Sequence, residues 1–167
     1  KLDNLRAGEL EGCRLAETAD FGEVSCAANE RVLIINDQLA GCTFARAARF
    51  GPLTLPVGAS VTYNDGRPSN FRLPSQGAPI DGFGLILPPG TKGDFCFRSD
   101  TPEHLEVSRS AYVTIDNVKL TGWVGFDCKA DSAFERGTLF EDAMVAGKWR
   151  QRGDLLSHDD LFPQKGG

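Results

Sequence analysis

Five cysteines are the residues of this chain best suited to covalent chemistry. Cys13 and Cys42 lie at the same position of two similar stretches, and two interpretations stay open for them. They are either small buried residues in a ladder or a disulfide between adjacent units. Cys96 and Cys128 form a second candidate disulfide, because both lie at the third strand of consecutive units. Cys26 takes a position that is leucine in later units and is expected in the core, and no CxxC pair or nearby histidine suggests a metal site.

Carboxylates are the second group that could do chemistry. Glycoside hydrolysis needs two acids about 5 to 10 Å apart, and Asp94, Asp116 and Asp127 come from consecutive units and could converge on one face. With 23 acids in the chain, some pair falls into such positions by chance, so solvated carboxylates are favoured and no catalytic residue is assigned. His104 lies beside a turn and His158 at a strand position. The sequence holds no nucleophile elbow, P-loop or dinucleotide fingerprint.

Trp123 is the most distinctive aromatic residue, because it lies between Gly122 and Gly125. Small neighbours let a ligand or another chain approach a ring. If Trp123 faces outward with Tyr112 or Phe126, it can stack on a sugar or pack against a partner. The alternative is that the ring belongs to the core. Trp123, Phe126 and Tyr112 are therefore the candidate binding residues.

A repeat must position these residues. Gly8–Ala27 and Asp37–Pro56 are identical at seven positions, in register and without a gap. Later in the chain, Leu85–Gly90 (LILPPG) repeats Leu53–Gly58 (LTLPVG). The chain from 8 to 160 therefore holds about five units of roughly 30 residues each.

Each unit contains three short stretches rich in Val, Ile, Leu, Phe and Thr, which are typical of strands. An odd number of strands would reverse the chain direction from one unit to the next in an up-and-down sheet, so a β-solenoid is the first prediction. If two stretches form one bent strand, the unit becomes a hairpin, which the Asn64-Asp65-Gly66 turn favours. The alternative is then an antiparallel hairpin-repeat sheet or barrel. We expect one all-β repeat domain over 1–161 and a flexible tail at 162–167.

The segment Val61–Arg67, VTYNDGR, followed by Phe71 and Leu73, resembles the unit of bacterial MORN-type and YwqK-like β-repeat proteins. Those units have an aromatic residue, a glycine turn and a returning strand. The resemblance covers one unit well and the others loosely. Members of that group mostly act as structural or interaction modules, and no catalytic residue carries over. The resemblance therefore implies a repeat scaffold.

Composition narrows the functional classes. The net charge is -5, and 18 Lys and Arg are scattered among 23 acids, so no nucleic-acid partner is expected. No run of 18 apolar residues exists, so no transmembrane segment is expected. A sequence that begins at Lys1 and contains five cysteines favours an exported bacterial protein, periplasmic or extracellular.

We therefore expect a non-enzymatic, exported β-repeat scaffold that binds a protein or glycan partner, or assembles with itself, without a cofactor. One alternative is a β-helical carbohydrate-active enzyme or a glycan-binding protein. Another is a barrel that holds a small apolar ligand. Trp123 and the Pro74–Pro79 insertion interrupt the repeat, so function is expected near them.

Overall fold

The computed structural model describes residues 11–96, 102–129 and 133–163, and these form strands with one short helix. The expected all-β class is confirmed. Of the tail predicted at 162–167, residues 164–167 lie outside the described residues. In chain order the elements are β1 (Glu11–Arg14), β2 (Ala19–Phe21), β3 (Val24–Cys26), β4 (Arg31–Ile35), β5 (Gln38–Thr43), β6 (Ala48–Phe50), β7 (Leu53–Leu55), β8 (Ser60–Asn64), β9 (Arg67–Arg72), β10 (Ile80–Gly82), β11 (Leu85–Leu87), β12 (Lys92–Phe95), β13 (Pro102–Val107), β14 (Val113–Ile115), β15 (Val118–Asp127), β16 (Ala133–Leu139), β17 (Ala143–Val145), β18 (Lys148–Arg150), β19 (Leu155–Ser157) and α1 (His158–Leu161).

One large antiparallel sheet organises the molecule. Its strands follow the order β1-β4-β5-β8-β9-β12-β13-β15-β16-β19, and β14 adds to β15. The order runs from β1 at one edge to β19 at the other, so the sheet stays open and is not a barrel. The pairs β2-β3, β6-β7, β10-β11 and β17-β18 form separate small hairpins. Four of the five units thus consist of a first sheet strand, an inner hairpin and a last sheet strand, and in the fourth unit β14 forms the hairpin with the first part of β15.

The strand count explains why the structure differs from the predicted β-solenoid. The stretch Phe21–Cys26 reads as one strand in the sequence, but it is a hairpin that turns at Gly22, where φ is +63°. The stretch Phe50–Leu55 contains the same turn at Gly51, with φ of +53°. Four of the five units therefore have four strands, and in the fourth unit the long strand β15 serves as both the second hairpin strand and the last sheet strand. An even number of strand segments restores the chain direction. Equivalent residues occupy equivalent places in an antiparallel sheet, which is the hairpin-repeat alternative.

The inner hairpins lie on one face of the sheet, and the core fills the space between the two layers. Phe50 and Phe83 come from the hairpins of neighbouring units, and each ring lies 6.2 Å from the ring of Phe95 in the sheet. Phe71 of the sheet lies 5.3 Å from Phe95. Along β13 the residues alternate between this core and the opposite face, as a strand periodicity of two requires. We call that opposite face the outward face.

Tight turns connect the first unit to the second and the second to the third. Asp65 and Gly66 have φ of +49° and +72°, and Asn64 pairs with Arg67 across them. Positive φ at both central residues is the two-residue hairpin turn whose twist matches the strands. The turn predicted at Asn64-Asp65-Gly66 is therefore confirmed.

The chain ends in a feature that the repeat does not predict. His158 aligns with a strand position, yet α1 begins there. The Asp160 carboxylate accepts hydrogen bonds of 2.9 Å from both the backbone N–H and the hydroxyl of Ser157. These bonds, with the nearby Arg150 guanidinium, hold the pKa of Asp160 below its usual value. Ser157-x-x-Asp160 is a variant of the capping box. This motif was the signal in the sequence that could have predicted the start of a helix here. This helix has four residues, and no helix in the described residues is long and apolar enough to cross a membrane.

Two disulfides connect the strands. Cys96 is bonded to Cys128, which is the second pair that the sequence suggested. Cys42 is bonded to Cys26 and not to Cys13. Strand β4 lies between the strands of Cys13 and Cys42, so two strand spacings of about 4.8 Å each separate them. A disulfide needs Cα atoms within about 7 Å, which excludes the Cys13–Cys42 bond.

Candidate functional site

A row of polar side chains crosses the outward face of the sheet. Antiparallel register places Asn70 opposite Asp94, and Asp94 opposite His104. The row continues through Gly125 to Arg136. The positions are equivalent in the repeat. The first strands of the five units contribute Gly12, Gly41, Asn70, His104 and Arg136, and the last strands contribute Leu33, Thr62, Asp94, Gly125 and Ser157.

The middle of the row is internally hydrogen-bonded. The Thr62 hydroxyl donates to the Asn70 side-chain oxygen, and it lies 3.0 Å from the Ser69 hydroxyl. On the neighbouring strand pair, His104 Nε2 lies 3.6 Å from Asp94 Oδ2. These contacts hold amide, hydroxyl and carboxylate groups side by side and leave their outer edges open to a ligand.

Trp123 stands on the same face, is 39% exposed, and contacts a side chain from each neighbouring strand. The benzene edge of the indole lies over Gly125, where an added Cβ would come within 2.4 Å of the ring. The His104 ring stacks on it, with centroids 5.5 Å apart and planes 27° apart. The Arg136 guanidinium carbon lies 4.6 Å from the ring centroid. Because β13 and β16 flank β15 on opposite sides, His104 and Arg136 cover opposite faces. Gly125 therefore makes room for the indole itself, and the ring lies between His104 and Arg136 with 39% of the residue still exposed.

A second cross-strand row, which runs beside the first, contains Arg72, Lys92 and Glu106. Lys92 Nζ lies 2.9 Å from Glu106 Oε2, its cross-strand neighbour. Arg72 is the neighbour of Lys92 on the other side, and it is exposed. The charged residues of this row thus border the central polar row.

Between these strands the outward face is indented. Two adjoining concavities of about 280 and 240 Å³ share Asn70 and Asp94 as lining residues. We call them together the outer groove, which follows β9 and β12. Its polar lining comprises Ser60, Thr62, Asn64, Arg67, Ser69, Asn70, Arg72, Lys92, Asp94, Glu103, His104 and Glu106.

The other predicted binding residues lie elsewhere. Phe126 is 7% exposed and belongs to the core. Tyr112 is 40% exposed, but its ring contacts Phe140 at 5.1 Å and not the stack around Trp123. Tyr112 also lines an apolar cleft of about 360 Å³ with Ile86 and with Pro79, the end of the inserted segment. The structure therefore separates the three aromatic residues that the sequence grouped.

The three acids considered for catalysis are not brought together. Asp116 occupies the turn of the inner hairpin of the fourth unit, with φ of +47°. Asp127 is at the far end of the 10-residue strand that follows, roughly 30 Å away along the strand. Its carboxylate accepts a hydrogen bond from the Lys129 backbone at 2.8 Å and so stabilises a turn. Of the three, only Asp94 lines the outer groove.

The sequence did not single out Asn70, His104 and Arg136 as one set. The signal was present, because all three occupy the glycine position of the first two units. Drift in the later units obscured the alignment. In the parts of the chain that the structure describes, no cluster of three His, Cys, Asp or Glu side chains could hold a metal ion.

Comparison of the chain with protein-family models, curated proteins and solved structures found no match.

Proposed function

We propose that this protein is an exported, non-catalytic binding module that holds an extended glycan in the outer groove. The observation that carries the proposal is the row of Asn70, Asp94 and His104 along an open polar groove on a regular sheet. The resemblance of Val61–Arg67 to MORN-type units supports the scaffold part, since that group mostly serves interactions.

The chemistry of the groove favours a hydroxyl-rich ligand. Hydroxyl, amide and carboxylate groups such as those of Thr62, Asn70 and Asp94 supply both donors and acceptors, which sugar hydroxyls can match. The centre of a protein–protein interface is usually rich in exposed aromatic and apolar groups. Here the exposed aromatic side chain beside the outer groove, Trp123, is partly occupied by its contacts with His104 and Arg136.

The shape of the groove favours a chain over a small molecule. Sites for small ligands usually surround the ligand, whereas the outer groove consists of two shallow, open concavities of about 280 and 240 Å³. The two adjoin along the strand direction, so a polymer can lie across both.

The disulfides support export. Bonds such as Cys26–Cys42 and Cys96–Cys128 form and persist in oxidising compartments.

The acids support a binding role over catalysis. Asp94 faces His104 and Glu106 faces Lys92, so each is engaged by a basic group.

A glycan-binding assay tests the proposal. We expect the double substitution Thr62→Ala with Asn70→Ala to weaken glycan binding about tenfold, since each lost hydrogen bond is worth about 0.5 to 1.5 kcal/mol. Thr54→Ala is the matched control, because Thr54 is exposed on the inner hairpin β7, outside the outer groove. Calorimetric titration with oligosaccharides identified on a glycan array gives the dissociation constants.

Two results would contradict the proposal. One is glycan binding that is absent, or that the double variant leaves unchanged. The other is hydrolysis of a glycan by the wild-type protein that Asp94→Asn or Asp127→Asn abolishes, which would make the protein an enzyme.

A further inference from the structure

We infer that the glycan held by the outer groove is uncharged. The inference rests on the proposed function and adds the chemical class of the ligand. It follows from how the charged side chains of the outer groove are distributed and paired.

The charges of the outer groove balance. Its basic side chains are Arg67, Arg72 and Lys92, and its acidic side chains are Asp94, Glu103 and Glu106. His104 is the one further titratable group in the lining, and it faces Asp94. With three Lys and Arg side chains and three Asp and Glu side chains, these charges of the outer groove cancel, although the chain carries -5.

The balance is local as well as numerical. Lys92 and Glu106 are in contact at 2.9 Å. Arg72 is the cross-strand neighbour of Lys92, and Asp94, two residues further along β12, is its diagonal neighbour. Opposite charges at such spacings cancel each other's field within a few ångströms, and salt screens the remainder. A polyanion or polycation therefore gains no long-range attraction here.

Paired charges still bind neutral groups well. A hydrogen bond to a charged group is stronger than one between neutral groups. A carboxylate can accept a hydrogen bond from a sugar hydroxyl, and an ammonium or guanidinium group can donate one to a sugar oxygen, each while keeping its partner. A ligand carboxylate would compete with Glu106 for Lys92 and meet Asp94 as a like charge. A ligand ammonium group would meet Arg72 and Lys92. The arrangement thus accepts hydroxyls and rejects either sign of charge.

The experiment compares three polymers: a neutral glucan or galactomannan, acidic polygalacturonate and basic chitosan oligomers. We expect the wild-type protein to bind a neutral polymer most tightly, with little change between about 20 and 300 mM salt. Glu106→Gln leaves the outer groove with one excess positive charge. We expect it to raise affinity for polygalacturonate about threefold to tenfold at low salt, and this gain should disappear at high salt.

Asp81→Asn is the matched control, because it removes one exposed acid from the inner hairpin β10, outside the outer groove. It should not change binding of polygalacturonate. Tightest binding of an acidic or basic polymer by the wild type, with affinity that falls as salt rises, would overturn the inference and leave the proposed function standing. Equal gains from Glu106→Gln and Asp81→Asn would also overturn it. Failure of all three polymers to bind would count against the proposed function itself.

Discussion

The two faces of the large sheet are made by the same strands but carry different kinds of side chain. On the inner face, the cross-strand ladder reads Cys42, Val61, Phe71, Gly93, Leu105, Val124, Gly137 and Leu156. One residue earlier on the first strands and one later on the last strands, the outward ladder reads Gly41, Thr62, Asn70, Asp94, His104, Gly125, Arg136 and Ser157. The side chains of the inner ladder are all apolar and differ mainly in size, whereas those of the outward ladder differ in charge and in hydrogen-bonding groups.

The difference follows from what each face contacts. An inner side chain must fit against an inner hairpin, so a small residue faces a large one. Gly93, for example, lies under the Phe71 ring, where an added Cβ would come within 2.5 Å of it. An outward side chain meets solvent or its own neighbours, and substitutions there cost little stability. Repeat drift therefore accumulates on the outward face, where a binding surface can develop without disturbing the fold.

The largest expected contrast is in stability. Leu105 is fully buried on the inner face, so Leu105→Ala should lower the free energy of unfolding by about 2 to 5 kcal/mol. Asn70→Ala on the exposed outward face should change it by less than about 0.5 kcal/mol. Urea denaturation followed by circular dichroism measures both. Similar losses for the two variants would mean that the outward face is also covered.

The next prediction concerns the outward pair of Gly125 and Trp123, the counterpart of the inner pair of Gly93 and Phe71. Gly125→Ala should push the Trp123 ring off the outward face, because the new methyl group would overlap the indole. We expect a red shift of the Trp123 emission and a loss of up to about 1 kcal/mol, the value of a cation–π contact at an exposed site. Trp149→Phe provides the background, since the chain has only two Trp. Unchanged emission would contradict the stacked arrangement of His104, Trp123 and Arg136.

The smallest expected effect concerns Tyr63, a polar residue on the inner side. Its hydroxyl is buried and has no hydrogen-bond partner among the described residues, and burial raises the pKa of Tyr63 to about 12. Tyr63→Phe should leave stability at neutral pH unchanged or raise it by up to about 1 kcal/mol. A marked loss of stability would show that the hydroxyl is paired after all.

The raised pKa of Tyr63 also predicts a pH effect. Ionisation is harder in the folded chain than in the unfolded one, so this contribution is complete below the ordinary tyrosine pKa of 10 and is lost as pH rises towards 12. Wild type should therefore lose stability relative to Tyr63→Phe over that interval. Urea midpoints at the two ends of the interval measure the difference, and parallel curves would contradict it.

Local sequence signals predicted a large part of the fold. The identities between Gly8–Ala27 and Asp37–Pro56 revealed the repeat, and the glycine and asparagine turns marked strand ends. The turn at Gly22 was missed, because a three-residue strand on either side of a glycine resembles one bent strand. That single omission made the strand count odd and favoured the solenoid.

The site was less accessible to the sequence. Trp123 stood out in the sequence because of its glycine neighbours, but its surroundings depend on His104 and Arg136, which are far apart in the chain. Cys13 and Cys42 illustrate the same limit, since equivalent repeat positions in this sheet are two strands apart and cannot bond.

By itself, the sequence determined the all-β class, the repeat length and turns such as Asn64-Asp65-Gly66, because turn chemistry and strand propensity act over a few neighbouring residues. Only the tertiary structure decided the strand pairing, the disulfide partners and the assembly of Asn70, Asp94 and His104 into one row. Pairing is cross-strand and non-local, and a shift of one residue exchanges the two faces of a strand. The sequence therefore contained the outward residues, but which of them are cross-strand neighbours depended on the register of the strands.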